Sequence, residues 1–201
     1  MAWIYRVGAQ EYLTQAEREN NAQEFYNYFS SIGVTLEAIC GMLGNADYES
    51  SLNPGMKETN SINSGWGLIQ WTPSTVLTVW CERNGYQWFQ GGIQCWRIEC
   101  EGKGIYGASG YWLPTQDYPF TWAQFCQLTD VRTATLSYLY EREQRVPVTT
   151  EQQRIDLANQ WYAYLSGQPT PPTPPTPPTP PIPTVGKKGM PVYMMIKRRP
   201  F

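Results

Sequence analysis

Residues 38–72 read AICGMLGNADYESSLNPGMKETNSINSGWGLIQWT, and the reading of this stretch decides the fold. Leu36, Ile39, Cys40, Leu43 and Ala46 recur at three- and four-residue spacing, which predicts a buried amphipathic helix. Thr35 is placed to cap its start, and Asn53-Pro54-Gly55 prevents its continuation. Glu49 is therefore expected at or just past the helix C-terminus. Apolar neighbours and the negative end of the helix dipole both disfavour a charged carboxylate there, a setting suited to proton donation. Beyond a polar loop, Gly65 to Trp71 reads as a strand, with Leu68 and Gln70 facing one way and Ile69 and Trp71 the other.

Two motifs in this order, Glu49-Ser50-Ser51-Leu52-Asn53-Pro54-Gly55 and Gly65-Trp66-Gly67-Leu68-Ile69-Gln70-Trp71-Thr72-Pro73, resemble the phage tail lysozyme family. The likeness is greatest to the lysozyme domain of tail-knob enzymes of small Bacillus podoviruses, and it covers roughly residues 10–165. The pattern is also similar to goose-type lysozymes and soluble lytic transglycosylases, which carry an E-S pair followed by a G-L-M-Q-like strand. The resemblance implies an α+β, mainly α, lysozyme-like fold with a small β-hairpin. It implies peptidoglycan glycan strands as substrate, Glu49 as general acid and no cofactor. Gln70 would lie in the cleft beside the acid, with Trp66, Trp71 and Tyr140 as further substrate-binding candidates. Tyr140-Glu141-Arg142 is similar to a YER segment of the family.

Glycoside cleavage needs a second carboxylate, as base or nucleophile, or assistance from the substrate's N-acetyl group. Glu58, in the loop after the acid, and Glu141 are the candidates. Asp47, two residues before Glu49, points elsewhere on a helix and is expected to be solvated. If the muramic 6-hydroxyl attacks in place of water, the product is a 1,6-anhydro sugar, as in a lytic transglycosylase. The plainer readings are structural. Glu49 is then a helix-end acid, Gln70 a loop hydrogen bond, and Glu58 and Glu141 ion-pair partners. A non-catalytic tail protein that kept the fold for glycan binding also fits.

The sequence of 201 residues contains no histidine, which removes Ser-His-Asp hydrolases, Cys-His amidases and His-ligated zinc peptidases from consideration. Carboxylates must then do any acid–base work. Nine Trp and fourteen Tyr exceed what one core of this size requires, so some are candidates to line a groove. Five cysteines leave an odd number. Cys40 falls on an apolar helix face and Cys126 in another helical run, whereas Cys95 and Cys100 lie in a Gly-rich stretch and are candidates to pair or, less well spaced, to bind zinc. The start of the sequence has no signal-peptide pattern and no run is long enough to span a membrane. No nucleic-acid partner is expected.

Around the central stretch, residues 1–13 read as an extended arm, and Thr14-Gln15-Ala16-Glu17 as a capping box opening a helix that stops at Gly33. Gly41 and Gly44 each cost about 1 kcal/mol in a helix interior, which a close approach of backbone or substrate would justify. Thr72-Pro73 predicts another helix start. Residues 85–119 read as a long irregular loop whose Trp88, Trp96, Tyr106, Tyr111 and Trp112 are candidates for a glycan floor. Three helices are expected after it, capped by Thr121, by Asp130 and by Thr150 or Glu151, the last stopping at Gly167.

The organisation expected is a lysozyme-like domain over residues 1–167, a Pro-rich linker over 168–185 and a basic-apolar peptide over 186–201. Thr-Pro-Pro occurs four times in the linker, which favours polyproline II and a reach of roughly 50 Å. All 17 acids precede the linker, with 10 of the 15 bases, so the domain carries −7 and the terminal peptide +5. That peptide combines Met, Tyr and Ile with five cations, suited to docking on another tail-tip protein. The expected location is the phage tail tip, reached from a host cytoplasm, with action at the cell wall.

Overall fold

The computed structural model describes residues 2–105, 112–143 and 148–167. The short β1 (Gly8–Ala9) leads into helix α1 (Gln15–Ser31), and α2 (Leu36–Ser50) follows after a turn at Gly33. Next come β2 (Met56–Lys57), α3 (Thr75–Arg83) and α4 (Gly91–Lys103). The short α5 (Trp122–Phe125), α6 (Val131–Tyr138) with a π-helical turn over Leu139–Glu143, and α7 (Glu151–Ser166) complete the fold. It is α+β and mainly α.

Helix α2 is the centre. It is buried without interruption from Ala38 to Asp47, more than one apolar face would bury, because α1, α6 and α7 surround it. Its two glycines admit those neighbours. A Cβ on Gly41 would stand 2.7 Å from the backbone of Ala134 and Thr135, and one on Gly44 would stand 2.5 Å from the Arg154 carbonyl oxygen. Four of the expected caps are in place: Thr35 accepts from Ala38 N–H, Thr14 and Glu17 form the reciprocal capping box, as do Thr121 and Gln124, and Asp130 accepts from Thr133 N–H, whereas Thr150 stands before α7 without a side-chain cap bond. Helix α2 ends at Ser50, and Ser51 and Leu52, between it and Asn53, take left-handed conformations (φ 52° and 55°).

Several expectations are corrected. The sheet pairs β1 with β2 in parallel, Gly8 opposite Met56 and Ala9 opposite Lys57. The arm that supplies β1 is held by two buried amides: Asn21 donates to the carbonyls of Ile4 and Leu52, and Asn53 to those of Arg6 and Glu11. Residues Gly65 to Trp71 are a turn rather than a strand. Trp66 and Trp71 exchange both backbone hydrogen bonds across the loop Gly67–Gln70, in which Gly67 (φ 84°) and Gln70 (φ 51°) are left-handed. Strand alternation therefore fails, and Leu68 and Ile69 are both buried.

The stretch expected to be irregular contains α4. Its glycines belong to the packing, because the ring of Trp3 lies 2.1 Å from where a Gly91 Cβ would be and the ring of Trp122 lies 2.2 Å from that of Gly102. Cys95 and Cys100 sit on this helix as buried free thiols, not as a bridge, and all five cysteines are free. Burial pushes the Cys100 thiol up to about 12. Trp96 packs on Trp80 (4.8 Å between ring centroids), and the Trp112 indole donates to the Phe120 carbonyl, so these two rings serve the core. Tyr106 and Tyr111 lie outside the described residues.

The third helix begins at Thr75 after a cis Thr72–Pro73 bond, with Ser74 rather than Thr72 at its cap position. Asp47, expected in solvent, is 4% exposed. Its Oδ2 accepts from the Arg18 guanidinium and, at 3.0 Å, from the Trp161 indole. Burial pushes its carboxyl up, against the pull of those two donors. Among the described residues no helix is long and apolar enough to cross a membrane, and no group of three or more Cys, Asp or Glu is set to hold a metal. The Pro-rich linker and terminal peptide lie outside the described residues.

Candidate active site

A cleft of about 310 Å³ opens at the C-terminal turn of α2. Glu49 lines it together with Glu58, Gln70 and Thr72, while Gln10, Tyr12, Met56 and Lys57 supply the side built from the N-terminal arm and β2. The sequence folds this way because the helix stops abruptly. The left-handed Ser51 and Leu52 turn the chain back so that β2 runs past the last helical turn, and the Trp66–Trp71 loop closes over it.

The loop is clamped from both sides at Leu68. The Ser50 hydroxyl donates to the Leu68 carbonyl (2.9 Å), and the Leu68 N–H donates to Gln94 Oε1 (2.7 Å). Gln94 is fully buried on α4 and donates in turn to the carbonyls of Pro54 and Trp88. One side chain thus joins α4, the loop and the helix-stop segment. Sequence reasoning missed it because α4 itself was not expected. The apolar recurrence of Ile93, Trp96, Ile98 and Cys100 through GGIQCWRIECEGK was the available signal.

Gln70 folds back on its own turn. Its Nε2 donates to the Gly67 carbonyl at 2.8 Å, and its Oε1 would lie 2.9 Å from any Cβ placed on Gly65. Gly65 is therefore the residue that makes room for the Gln70 amide at the cleft. Glu58 accepts from the Gly65 N–H at 3.2 Å. Trp66 is half-buried beside the cleft, its indole donating to the Thr59 carbonyl, with the Lys57 ammonium 4.1 Å above its ring and Trp88 5.0 Å away.

The remaining sequence candidates do not line the cleft. Trp71 is buried and its indole N–H donates to Glu101 at 2.7 Å. Glu101 also accepts from Arg97 (2.9 Å) and Arg142 (2.8 Å), making it a buried hub that holds the loop from behind. Tyr140 donates to Glu151 and stacks on Tyr118. Glu141 is fully buried, and its Oε1 accepts from the Phe120 N–H at 2.9 Å. Burial pushes its carboxyl up to about 8, partly opposed by that N–H.

Glu49 has a partner that the sequence did not reveal. The Arg154 guanidinium, from α7, donates to Glu49 Oε1 as an ion pair. The two residues are 105 positions apart, so no local pattern could pair them. The carboxylate is 22% exposed and the arginine 3%. The apolar neighbours expected around Glu49 give way to the polar side chains of the cleft and a buried cation.

The sequence profile of the phage tail lysozyme family matches residues 20–165. Morphogenesis protein 1 of Bacillus phage B103 is 46% identical over 77 residues, which cover 37% of this chain and 21% of that protein. The aligned part is thus about a fifth of the relative's length.

Proposed function

The chain belongs to the phage tail lysozyme family, and from that premise we propose that it is a tail-borne glycosidase cutting the β-1,4 bond between N-acetylmuramic acid and N-acetylglucosamine in host peptidoglycan. The observation that carries this reading is the place of Glu49, a carboxylate delivered by the end of a buried helix into a polar cleft beside Gln70 and Glu58.

In this reading Glu49 gives its proton to the glycosidic oxygen as the bond from that oxygen to the anomeric carbon breaks. Glu58 is the second carboxylate of the cleft and would hold the water that adds at the anomeric carbon. The proton released by that water restores Glu49. Gln70 and Trp66 are the substrate-binding side chains, the amide for a polar sugar substituent and the indole for a sugar face. Glu141 and Trp71, both buried, and Tyr140, bonded to Glu151, are given no direct part in this reading. The terminal peptide 186–201 would dock on another tail-tip protein while the Pro-rich segment holds the domain off, so that it can reach the wall.

The test is clearing of purified cell walls by the wild type and by Glu49→Gln. The variant should keep its fold and lose at least 10²–10⁴-fold in activity, as expected for removal of a general acid. Activity within a few-fold of wild type would end the assignment. Mass spectrometry of the released muropeptides then separates the chemistries: reducing muramic ends mean hydrolysis, 1,6-anhydro ends mean the transglycosylase reading. Wall binding without clearing by the wild type would leave a glycan-binding tail protein.

A further inference from the structure

Arg154 is fixed before any substrate arrives. Its Nη1 donates to Asn45 Oδ1 at 3.0 Å and its Nε to Thr150 Oγ1 at 3.4 Å. The guanidinium carbon lies 4.2 Å from the ring centroid of Tyr48. Asn45 is itself held, its Nδ2 donating to the carbonyls of Gly41 (2.8 Å) and Thr135 (3.0 Å). What this cradle presents to Glu49 is Arg154 Nη2, which donates to Oε1; Glu49 Oε2 makes no hydrogen bond among the described residues. A pair that served only to tie α7 to α2 would gain most from a two-pronged contact away from solvent. Here one prong goes to the asparagine, and the carboxylate lines an open cleft.

We propose that Arg154 is the positioning residue of the acid: it holds the Glu49 carboxyl by one oxygen, leaves the other for the glycosidic oxygen, and stabilises the carboxylate that remains once the proton has been transferred. This rests on the reading of Glu49 as the general acid. The step is balanced. The proton passes from the Glu49 carboxyl to the leaving oxygen, the bond to the anomeric carbon breaks, and the incoming hydroxyl compound, water or the muramic 6-hydroxyl, returns a proton to Glu49. Throughout, the positive charge of Arg154 stays in place, and its fixed geometry spares reorganisation during the reaction.

Other charged and titratable groups also surround Glu49. Lys57 and Glu58 face it from the β2 side of the cleft and Tyr12 from the N-terminal arm, while Tyr48 lies under the Arg154 guanidinium and Asp47 turns to Arg18 and Trp161. Among the described residues only Arg154 bonds to its carboxylate. Removing that one cation should therefore change how activity depends on pH, which the loss of a purely structural tie would not do.

The experiment compares Arg154→Gln and Arg154→Lys with wild type on cell walls, over a pH series, alongside their melting temperatures. Arg154→Gln should change the position of the alkaline limb of kcat and lower kcat at neutral pH about 10²-fold, as misplacement of a reacting group does. Arg154→Lys keeps the charge and loses the fork, so its limb should stay near that of wild type while kcat falls. If the glutamine variant does not fold, the lysine variant decides: full kcat in it overturns the proposal. Lowered melting temperature with an unchanged limb and unchanged kcat per folded molecule in either variant also overturns it. If Glu49→Gln remains active, the assignment of the acid has failed instead, and the two failures are told apart.

Discussion

Gly44 and Arg154 meet backbone to backbone: the Arg154 carbonyl oxygen stands 2.5 Å from where a Cβ on Gly44 would lie, and the Ala158 Cβ stands 2.7 Å from it. The absence of one side chain on α2 thus sets how closely α7 approaches, and with it how the Arg154 guanidinium reaches Glu49. Helix propensity alone would favour alanine at this position by about 1 kcal/mol. Overpacking costs typically 1–3 kcal/mol, and here the obstacle is backbone, which cannot swing aside.

Gly44→Ala should therefore destabilise the protein by up to about 2 kcal/mol net and lower the activity of the molecules that remain folded, since α7 must withdraw. Urea unfolding and wall clearing per folded molecule measure the two effects. A variant more stable than wild type would show that α7 is not seated as described.

The glycines also mark how much of the molecule was legible in the sequence. Gly41 and Gly44, in a run of strong helical periodicity, were readable as sites of close approach, and α2, its Thr35 cap and the cleft position of Glu49 followed. Gly91 and Gly102 misled. They lie where Trp3 and Trp122 press flat against α4, and in the sequence they are indistinguishable from loop glycines. With α4 unseen, Gln94 and Glu101 were unseen too, although these buried side chains hold the Trp66–Trp71 loop in place. The ion pair of Arg154 with Glu49 was out of reach for another reason: it joins helices distant in sequence, and only packing brings them together.

The boundary at Gly167 predicts a separation of roles. The last core side chain among the described residues is Leu165, on α7, which packs against α2. A protein ending at Gly167 should keep the melting temperature of the full chain within a degree or two and clear walls equally well in solution. In a phage complementation assay it should fail to enter particles. Normal incorporation would remove the docking role of residues 186–201, and loss of folding would show that the core extends past α7.

Glu141 gives the protein a stability that depends on pH in a stated direction. Its carboxyl is fully buried, one oxygen accepts from Phe120 N–H, and the other makes no hydrogen bond among the described residues. Desolvation therefore favours the protonated form and raises the group from the ordinary 4.5 to about 8. Between those values the folded chain holds a proton that the unfolded chain has released. The contribution is thus fully present below pH 4.5, declines as pH rises through the window, and is gone above about 8. The slope is at most about 1.4 kcal/mol per pH unit. Glu141→Gln keeps a neutral side chain of the same shape at every pH, so its slope over this window should be flatter than that of wild type. Urea unfolding at pH 5, 6.5 and 8 checks this: wild type should lose stability relative to the variant by one to a few kcal/mol across the series. Parallel curves would mean that Glu141 is ionised in the folded protein, with its free oxygen bound to a partner such as an ordered water.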